Sequence, residues 1–157
     1  MTKVIDVNHQ VDNQQKYENY RTQSRKLSLA LRSGFYLEAV FIEYAIIEDR
    51  LESALRHAGA YNPKAQKTIT TKISKLEKVS ENKRGLACRY FSKELFEAIR
   101  KWKDQRNLLV HELMKQDATT EGFEEVALWG KDLVKTLKSK VRSFNRASDH
   151  EEARAQS

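Results

Sequence analysis

The fold class of this chain is decided by residues 29–55, which read LALRSGFYLEAVFIEYAIIEDRLESAL. The small dipeptide at Ser33 and Gly34 separates two apolar segments and predicts a turn between two helices. After the turn, apolar residues form one helical stripe and further ones broaden it almost all round: Leu37, Val40, Phe41, Tyr44, Ile47, Leu51 and Leu55, with Phe35, Ile42 and Ile46. A helix that is apolar on most of its circumference packs against several others, so this stretch predicts the central helix of a bundle.

Four more helices are predicted around this central one. All five together are expected at about residues 11–32, 35–58, 64–79, 86–115 and from Thr119 or Thr120 to Phe144. The fifth follows the polar break QDATTEG, where a threonine side chain can cap its first turn. Because short connections join long helices, we predict an all-α, antiparallel up-and-down bundle of four to five helices.

One domain is expected, because 157 residues of which 39% are hydrophobic can fill a single core. The predicted domain covers residues 12–145. Residues 1–11 are predicted to be a flexible N-terminus. The last stretch, ASDHEEARAQS, has no apolar periodicity, so residues 146–157 are predicted to form a disordered C-terminal tail.

The composition restricts the class of protein. One proline and five glycines leave few helix breaks, and no apolar run reaches the roughly 20 residues that span a bilayer. The N-terminus lacks the apolar segment of a secretory signal, and Cys88 has no second cysteine to pair with. We therefore expect a cytoplasmic protein with no membrane partner, no metal site and no cofactor.

The formal net charge of +7 is unevenly distributed. Residues 1–63 carry eight basic and eight acidic side chains, residues 64–110 carry thirteen and five, and residues 111–157 carry eight and nine. The excess in the middle third favours a polyanion such as nucleic acid, whose phosphates release counterions on contact. The candidate RNA-binding residues are Lys72, Lys75, Arg84 and Arg100. The alternative is that Lys72, Lys75 and Lys78 only solvate an outward helix face.

A second stretch, KDQRNLLVHEL at residues 103–113, places Arg106, Asn107 and His111 on the fourth helix. The spacing of arginine and histidine alone is weak evidence, because Arg50 and His57 satisfy a similar pattern on the second helix. The context of the first pair is more specific. A polar residue follows the arginine directly, three apolar residues fill the gap, and the pair ends the basic third.

Helix geometry relates these three side chains. Asn107 and His111 are four residues apart and share a face, so the amide can orient the imidazole. Arg106 lies about 140° round the helix from His111, so its long side chain, or a partner chain, must bring the two together. Arginine can bind a phosphoryl group and histidine can exchange protons near neutral pH, which suits metal-free cleavage of RNA by its own 2′-hydroxyl.

The segment RNLLVH, residues 106–111, resembles the R-[N/D/H]-x-x-x-H signature of the HEPN (higher eukaryotes and prokaryotes nucleotide-binding) superfamily. Residues 29–55 are similar to the opening helical pair of that superfamily, and the resemblance covers roughly residues 12–145. It implies a helical bundle that forms a homodimer, with two copies of the motif in one cleft. It also implies metal-independent endoribonuclease activity in a toxin or an anti-phage effector.

The resemblance assigns a role to each motif residue. Arg106 would bind and polarise the phosphate, Asn107 would position the histidine or the RNA, and His111 would act as general base or acid. A subgroup controlled by nucleotidyltransferase antitoxins has a tyrosine two residues after the histidine, where this chain has Leu113. Control by that route is not expected, although a different cognate antitoxin or regulatory protein remains an expected partner.

Three further residues are secondary candidates. Glu43 interrupts the apolar central helix, so it either lines the cleft beside the motif or pairs with an arginine of the first helix. Lys103 and Asp104 either hold RNA and orient Arg106, or belong to an exposed polar face. The alternative function is a non-catalytic helical module that binds RNA or a protein through the basic third, and a third possibility is a purely structural dimer or adaptor. For Arg106, Asn107 and His111 themselves, the alternative is a polar helix segment that holds two chains together at a dimer interface.

Overall fold

The structure, a computed structural model, describes residues 13–115 and 120–157. In these two segments it contains five α-helices, one short 3₁₀ helix and no strand: α1 (Asn13–Arg32), α2 (Tyr36–His57), α3 (Ile69–Ser80), the 3₁₀ helix (Ala87–Arg89), α4 (Lys93–Leu113) and α5 (Thr120–Ala155). The all-α fold class and the five predicted helices are thus confirmed. The predicted flexible N-terminus, residues 1–11, lies outside the described residues.

The turn between α1 and α2 forms as predicted. Gly34 has a φ of 74°, a conformation that a glycine adopts without a steric penalty. The Phe35 amide donates to the Ala30 carbonyl (2.9 Å), which closes the C-terminal end of α1. The turn fixes α1 and α2 as an antiparallel pair.

Helix α2 is the centre of the bundle and packs against α1, α3 and α5. Its Val40, Ile47, Leu51 and Leu55 side chains are fully buried. Phe41, by contrast, is 47% exposed, so the apolar stripe predicted from the sequence is not buried throughout. No helix in the described part of the chain is long and apolar enough to cross a membrane.

The neighbouring helices do not all run antiparallel. Hydrogen bonds join Tyr36 to Glu124 near the start of α2 and α5, and Ser53 near the end of α2 to Asn145 in the second half of α5. These two helices are therefore parallel. Helix α4 is antiparallel to α5, because Trp102 contacts Val126 while Phe91, just before α4, contacts Phe144. The bundle is packed, but it is not the uniformly antiparallel arrangement that we predicted.

Two predicted helix starts are too early, because capping side chains decide where these helices begin. Helix α3 starts at Ile69 rather than near residue 64, since Thr68 and Thr71 form a reciprocal capping box. Helix α4 starts at Lys93 rather than near residue 86, since the Ser92 hydroxyl accepts from the Leu95 amide (3.2 Å).

Helix α5 continues to Ala155, past the point where a disordered tail was predicted from residue 146. Contacts with α2 explain part of this extension. The Ser148 hydroxyl donates to the His57 carbonyl (2.9 Å), and Asp149 lies 3.6 Å from the His57 ring. The extension therefore caps the exposed C-terminal end of α2.

Candidate functional site

The C-terminal half of α4 carries the motif, and a buried tryptophan holds it in place. The indole of Trp102 is fully buried and donates to the Val126 carbonyl of α5 (3.0 Å). Its ring centre lies 6.5 Å from that of Tyr44 on α2. Trp102 thus fixes α4 against two helices one turn before Arg106.

Arg106 is half-buried against aromatic side chains of α2. The guanidinium carbon lies 4.3 Å from the ring centre of Tyr44 and 4.8 Å from that of Phe41, a cation–π arrangement. Nη1 donates to Oδ1 of Asn107 (3.0 Å), whereas the buried Nε has no hydrogen-bond partner in the described residues. Burial lowers the pKa of Arg106, and the nearby Tyr44 opposes that change.

The charge of Arg106 has no carboxylate partner within the described segments. Arginine nevertheless keeps its charge at any physiological pH. A half-buried, fixed cation with no counter-ion is suited to receiving an external anion, and its planar fork matches a phosphate.

His111 and Asn107 are both exposed on the surface of α4. The structure brings Arg106 and Asn107 together, but no hydrogen bond among the described residues joins Asn107 to His111. The asparagine oxygen instead accepts from Arg106. In one chain, therefore, the arginine faces α2 while the histidine faces outward, and the angle of about 140° between them on the helix is not bridged.

Glu43 is fully buried, with no hydrogen-bond partner for either carboxylate oxygen in the described residues. Glu43 has no exposed surface, so it lines no open cleft of this chain, and it makes no ion pair with an arginine of α1 in the described residues. It lies instead against Gly130 of α5, where the Trp102 indole also approaches. Burial raises the pKa of Glu43 to about 9, so the carboxyl is protonated at neutral pH.

The secondary candidates beside Arg106 have different environments. Lys103 donates to the Thr70 hydroxyl of α3 (3.0 Å) and its side chain is only 13% exposed. Its ammonium lies 3.5 Å from the carboxylate of Asp104, which is 71% exposed. Lys103 thus joins α4 to α3, whereas Asp104 lies on the polar face that was the alternative prediction.

Two of the four candidate RNA-binding residues are neutralised inside the molecule. Lys72 is 5% exposed and lies 2.7 Å from Glu48, so it neither solvates an outward face nor reaches RNA. Arg100 makes two hydrogen bonds to Glu77 (2.8 and 3.2 Å), which lower the pKa of that carboxyl. Lys75 is half-buried and Arg84 is exposed, so these two remain candidates.

The surface beside the motif is partly apolar, which the sequence did not reveal. Leu108 is 49% exposed and Met114 is 83% exposed, and Phe41 under the arginine is also open to solvent. Helical periodicity assigns apolar residues to a stripe, but it cannot tell whether the same chain or another molecule covers that stripe.

No group of three His, Cys, Asp or Glu side chains in the described segments could hold a metal ion. Comparison of the chain with protein families, with characterised proteins and with solved structures finds no significant match.

Proposed function

We propose that this protein is a metal-independent endoribonuclease of HEPN type, a toxin or anti-phage effector that acts as a homodimer. The observation that carries the proposal is the guanidinium of Arg106, which is half-buried on two aromatic rings with no carboxylate partner in the described residues. A cation held in this way costs desolvation energy without gaining an internal ion pair, so an external phosphate is the ligand that best offsets the cost.

In the proposed reaction the RNA supplies its own nucleophile. His111 accepts the proton of a ribose 2′-hydroxyl, whose oxygen forms a bond to the adjacent phosphorus while the bond from phosphorus to the 5′-oxygen breaks. The leaving 5′-oxygen takes up a proton from water and His111 releases its proton to water, so the products are a 2′,3′-cyclic phosphate and a 5′-hydroxyl. Arg106 stabilises the charge that develops on the phosphoryl oxygens, and Asn107 orients its guanidinium.

A second copy of the chain completes the site in this proposal. Arg106 and His111 diverge by about 140° on α4, so one helix cannot direct both at one phosphate. Arg106 of one protomer and the partner's His111 can do so across a two-fold axis. The exposed apolar side chains of Phe41, Leu108 and Met114 near the motif are suited to such an interface.

The test is incubation of the purified protein with a mixed RNA pool in EDTA. We expect products that end in a 2′,3′-cyclic phosphate, and a loss of rate of about 10²- to 10⁴-fold in His111→Ala, the usual contribution of general acid–base catalysis. Arg106→Ala should lose a comparable factor because it removes charge stabilisation. His150→Ala, an exposed histidine on α5, is the matched control and should cleave normally. Cleavage that requires added magnesium contradicts the proposal.

A second candidate function is a non-catalytic module that binds RNA. The observation in its favour is that His111 is exposed and lacks, in the described part of the chain, the hydrogen bond that commonly orients a catalytic imidazole. Such a module would bind RNA with a steep salt dependence, release no cyclic phosphate and be insensitive to His111→Ala.

A further inference from the structure

A groove of about 570 Å³ runs between α1 and α5. The described residues that line it include five basic side chains and no acidic one: Arg32, Lys131, Lys135, Lys138 and Arg142. The four on α5 follow at intervals of four, three and four residues, so they form one row on a single face of the helix. This row is about 16 Å long, and we call the surface the α1–α5 groove.

The charges of the α1–α5 groove are not neutralised inside the molecule. In the segments that the structure describes, no carboxylate lies within ion-pair distance of any of its five basic side chains. The Lys138 ammonium donates to the Ser24 hydroxyl (2.9 Å) and lies 4.9 Å from the centre of the Tyr20 ring. Burial, with Arg50 and Arg142 nearby, lowers the pKa of Lys138. A bound anion would relieve this crowding of positive charge.

We infer that the α1–α5 groove binds the phosphate backbone of single-stranded RNA. A row of cations along a helix matches a linear polyanion rather than a small single anion. The hydroxyls of Ser28 and Ser139 also line the groove and can donate to phosphate oxygens. The inference rests on the proposed function only in naming RNA rather than DNA.

The continuation of the groove favours a single strand. A second cavity of about 710 Å³ shares Lys138 and Arg142 with the α1–α5 groove, and its lining includes Tyr17, which is 60% exposed. Both basic and acidic side chains line this continuation, the acidic ones being Asp49, Glu52 and Asp149. An exposed aromatic ring beside a basic groove is how many proteins stack the bases of single strands.

The α1–α5 groove lies on a different side of α2 from the motif. Arg50 of α2 lines the continuation of the groove, whereas Tyr44 holds Arg106, and these two positions are about 120° apart on the helix. The groove would therefore hold RNA at a distance from the reacting phosphate. Its residues should contribute to affinity and leave the chemical step unchanged.

The test measures binding without cleavage. A labelled single-stranded RNA with 2′-O-methyl groups at every position lacks the attacking hydroxyl, and its anisotropy reports the dissociation constant over a salt series. In Lys131→Gln/Lys135→Gln we expect the slope of log K against log salt to fall by about 1.4, the value for two lost phosphate contacts on a single strand. Affinity at low salt should fall by about tenfold.

The matched control is Lys64→Gln/Lys67→Gln, which removes the same charge from two exposed positions of the middle third and should keep the wild-type slope. An unchanged slope in the groove variant, or an equal loss in both variants, overturns the inference. So does binding to phosphatidylserine vesicles with no binding to the RNA. Because the probe cannot be cleaved, the outcome is independent of the nuclease: absence of cyclic phosphate from unmodified RNA would overturn the proposed function and leave the groove assignment intact.

Discussion

The Glu43 carboxyl shows how one residue can tie stability to pH. The sequence marks it as unusual, because a carboxylate inside an apolar stripe is costly. It does not reveal that the cost is avoided by protonation, since that depends on the close approach of α5 at Gly130 and on the absence of any partner among the described residues. A residue can thus be recognised as exceptional from its local pattern, while its chemical state depends on the packing.

We predict that ionisation of Glu43 lowers the stability of the protein as pH rises. The pKa is about 9 in the folded state and about 4.5 in the unfolded chain, so stability is full below the lower value and is lost towards the upper one. The loss is at most about 1.4 kcal/mol in the free energy of unfolding per pH unit. Urea denaturation from pH 5 to 9 should show this slope in the wild type and not in Glu43→Gln.

The exposed Glu38, also on α2, supplies the control for this measurement. Glu38→Gln should keep the pH dependence of the wild type because its carboxyl is already solvated. If the free energy of unfolding changed with pH in the same way for the wild type and Glu43→Gln, Glu43 would not titrate between pH 5 and 9.

At the scale of the elements, α5 approaches α2 and α4 closely at Gly130. A Cβ added there would lie 2.6 Å from Cδ of Glu43 and 2.8 Å from Nε1 of Trp102, both too short for real contacts. Glycine in a helix interior is normally a weakness, and replacing it with alanine gains about 1 kcal/mol. Here the absence of a side chain is what lets the three helices pack.

We predict that Gly130→Ala destabilises the protein, because steric overlap of about 1–3 kcal/mol exceeds the gain in helix propensity. The loss should shrink by about 0.5 kcal/mol or more in a Glu43→Ala background, where the nearest obstacle is gone. Denaturant unfolding of the four proteins in the cycle gives both values. A stabilised Gly130→Ala would exclude a tight approach of α5 to α2.

The helices themselves were predictable and their ends were not. The turn at Gly34 and the central helix follow from local chemistry and from apolar periodicity, which the folded chain preserves. The start of α3 depends on a hydroxyl pair at Thr68 and Thr71, and the length of α5 depends on Ser148 reaching α2. Periodicity carries no information about contacts of that kind, so local caps and long-range hydrogen bonds set these boundaries.

At the scale of the whole molecule, folding redistributes charge that the linear sequence conceals. Counted by thirds, residues 111–157 are nearly neutral, yet residues 131–146 carry six basic and one acidic side chain. They lie beside α1, which carries five basic side chains and one acidic side chain. In the middle third, which has the largest excess of basic residues, Lys72 and Arg100 form ion pairs with Glu48 and Glu77 of the same chain. The total charge follows from the sequence, but the row of cations in the α1–α5 groove arises only when α1 and α5 pack together.

The separation of Arg106 from His111 on α4 implies that each site of the dimer uses residues of two chains. Arg106→Ala and His111→Ala should each be inactive alone. If the two variants are mixed and exchange subunits, half of the dimers contain one chain of each variant. In such a mixed dimer, one site combines the intact Arg106 of one chain with the intact His111 of the other. The second site of that dimer lacks both side chains. Random pairing under two-fold symmetry then restores about a quarter of the wild-type cleavage rate. A mixture as inactive as its components would mean that each site uses the arginine and the histidine of the same chain.

Leu108→Asp, which places a charge in the exposed apolar surface beside the motif, should abolish both the dimer seen by sedimentation and the restored activity.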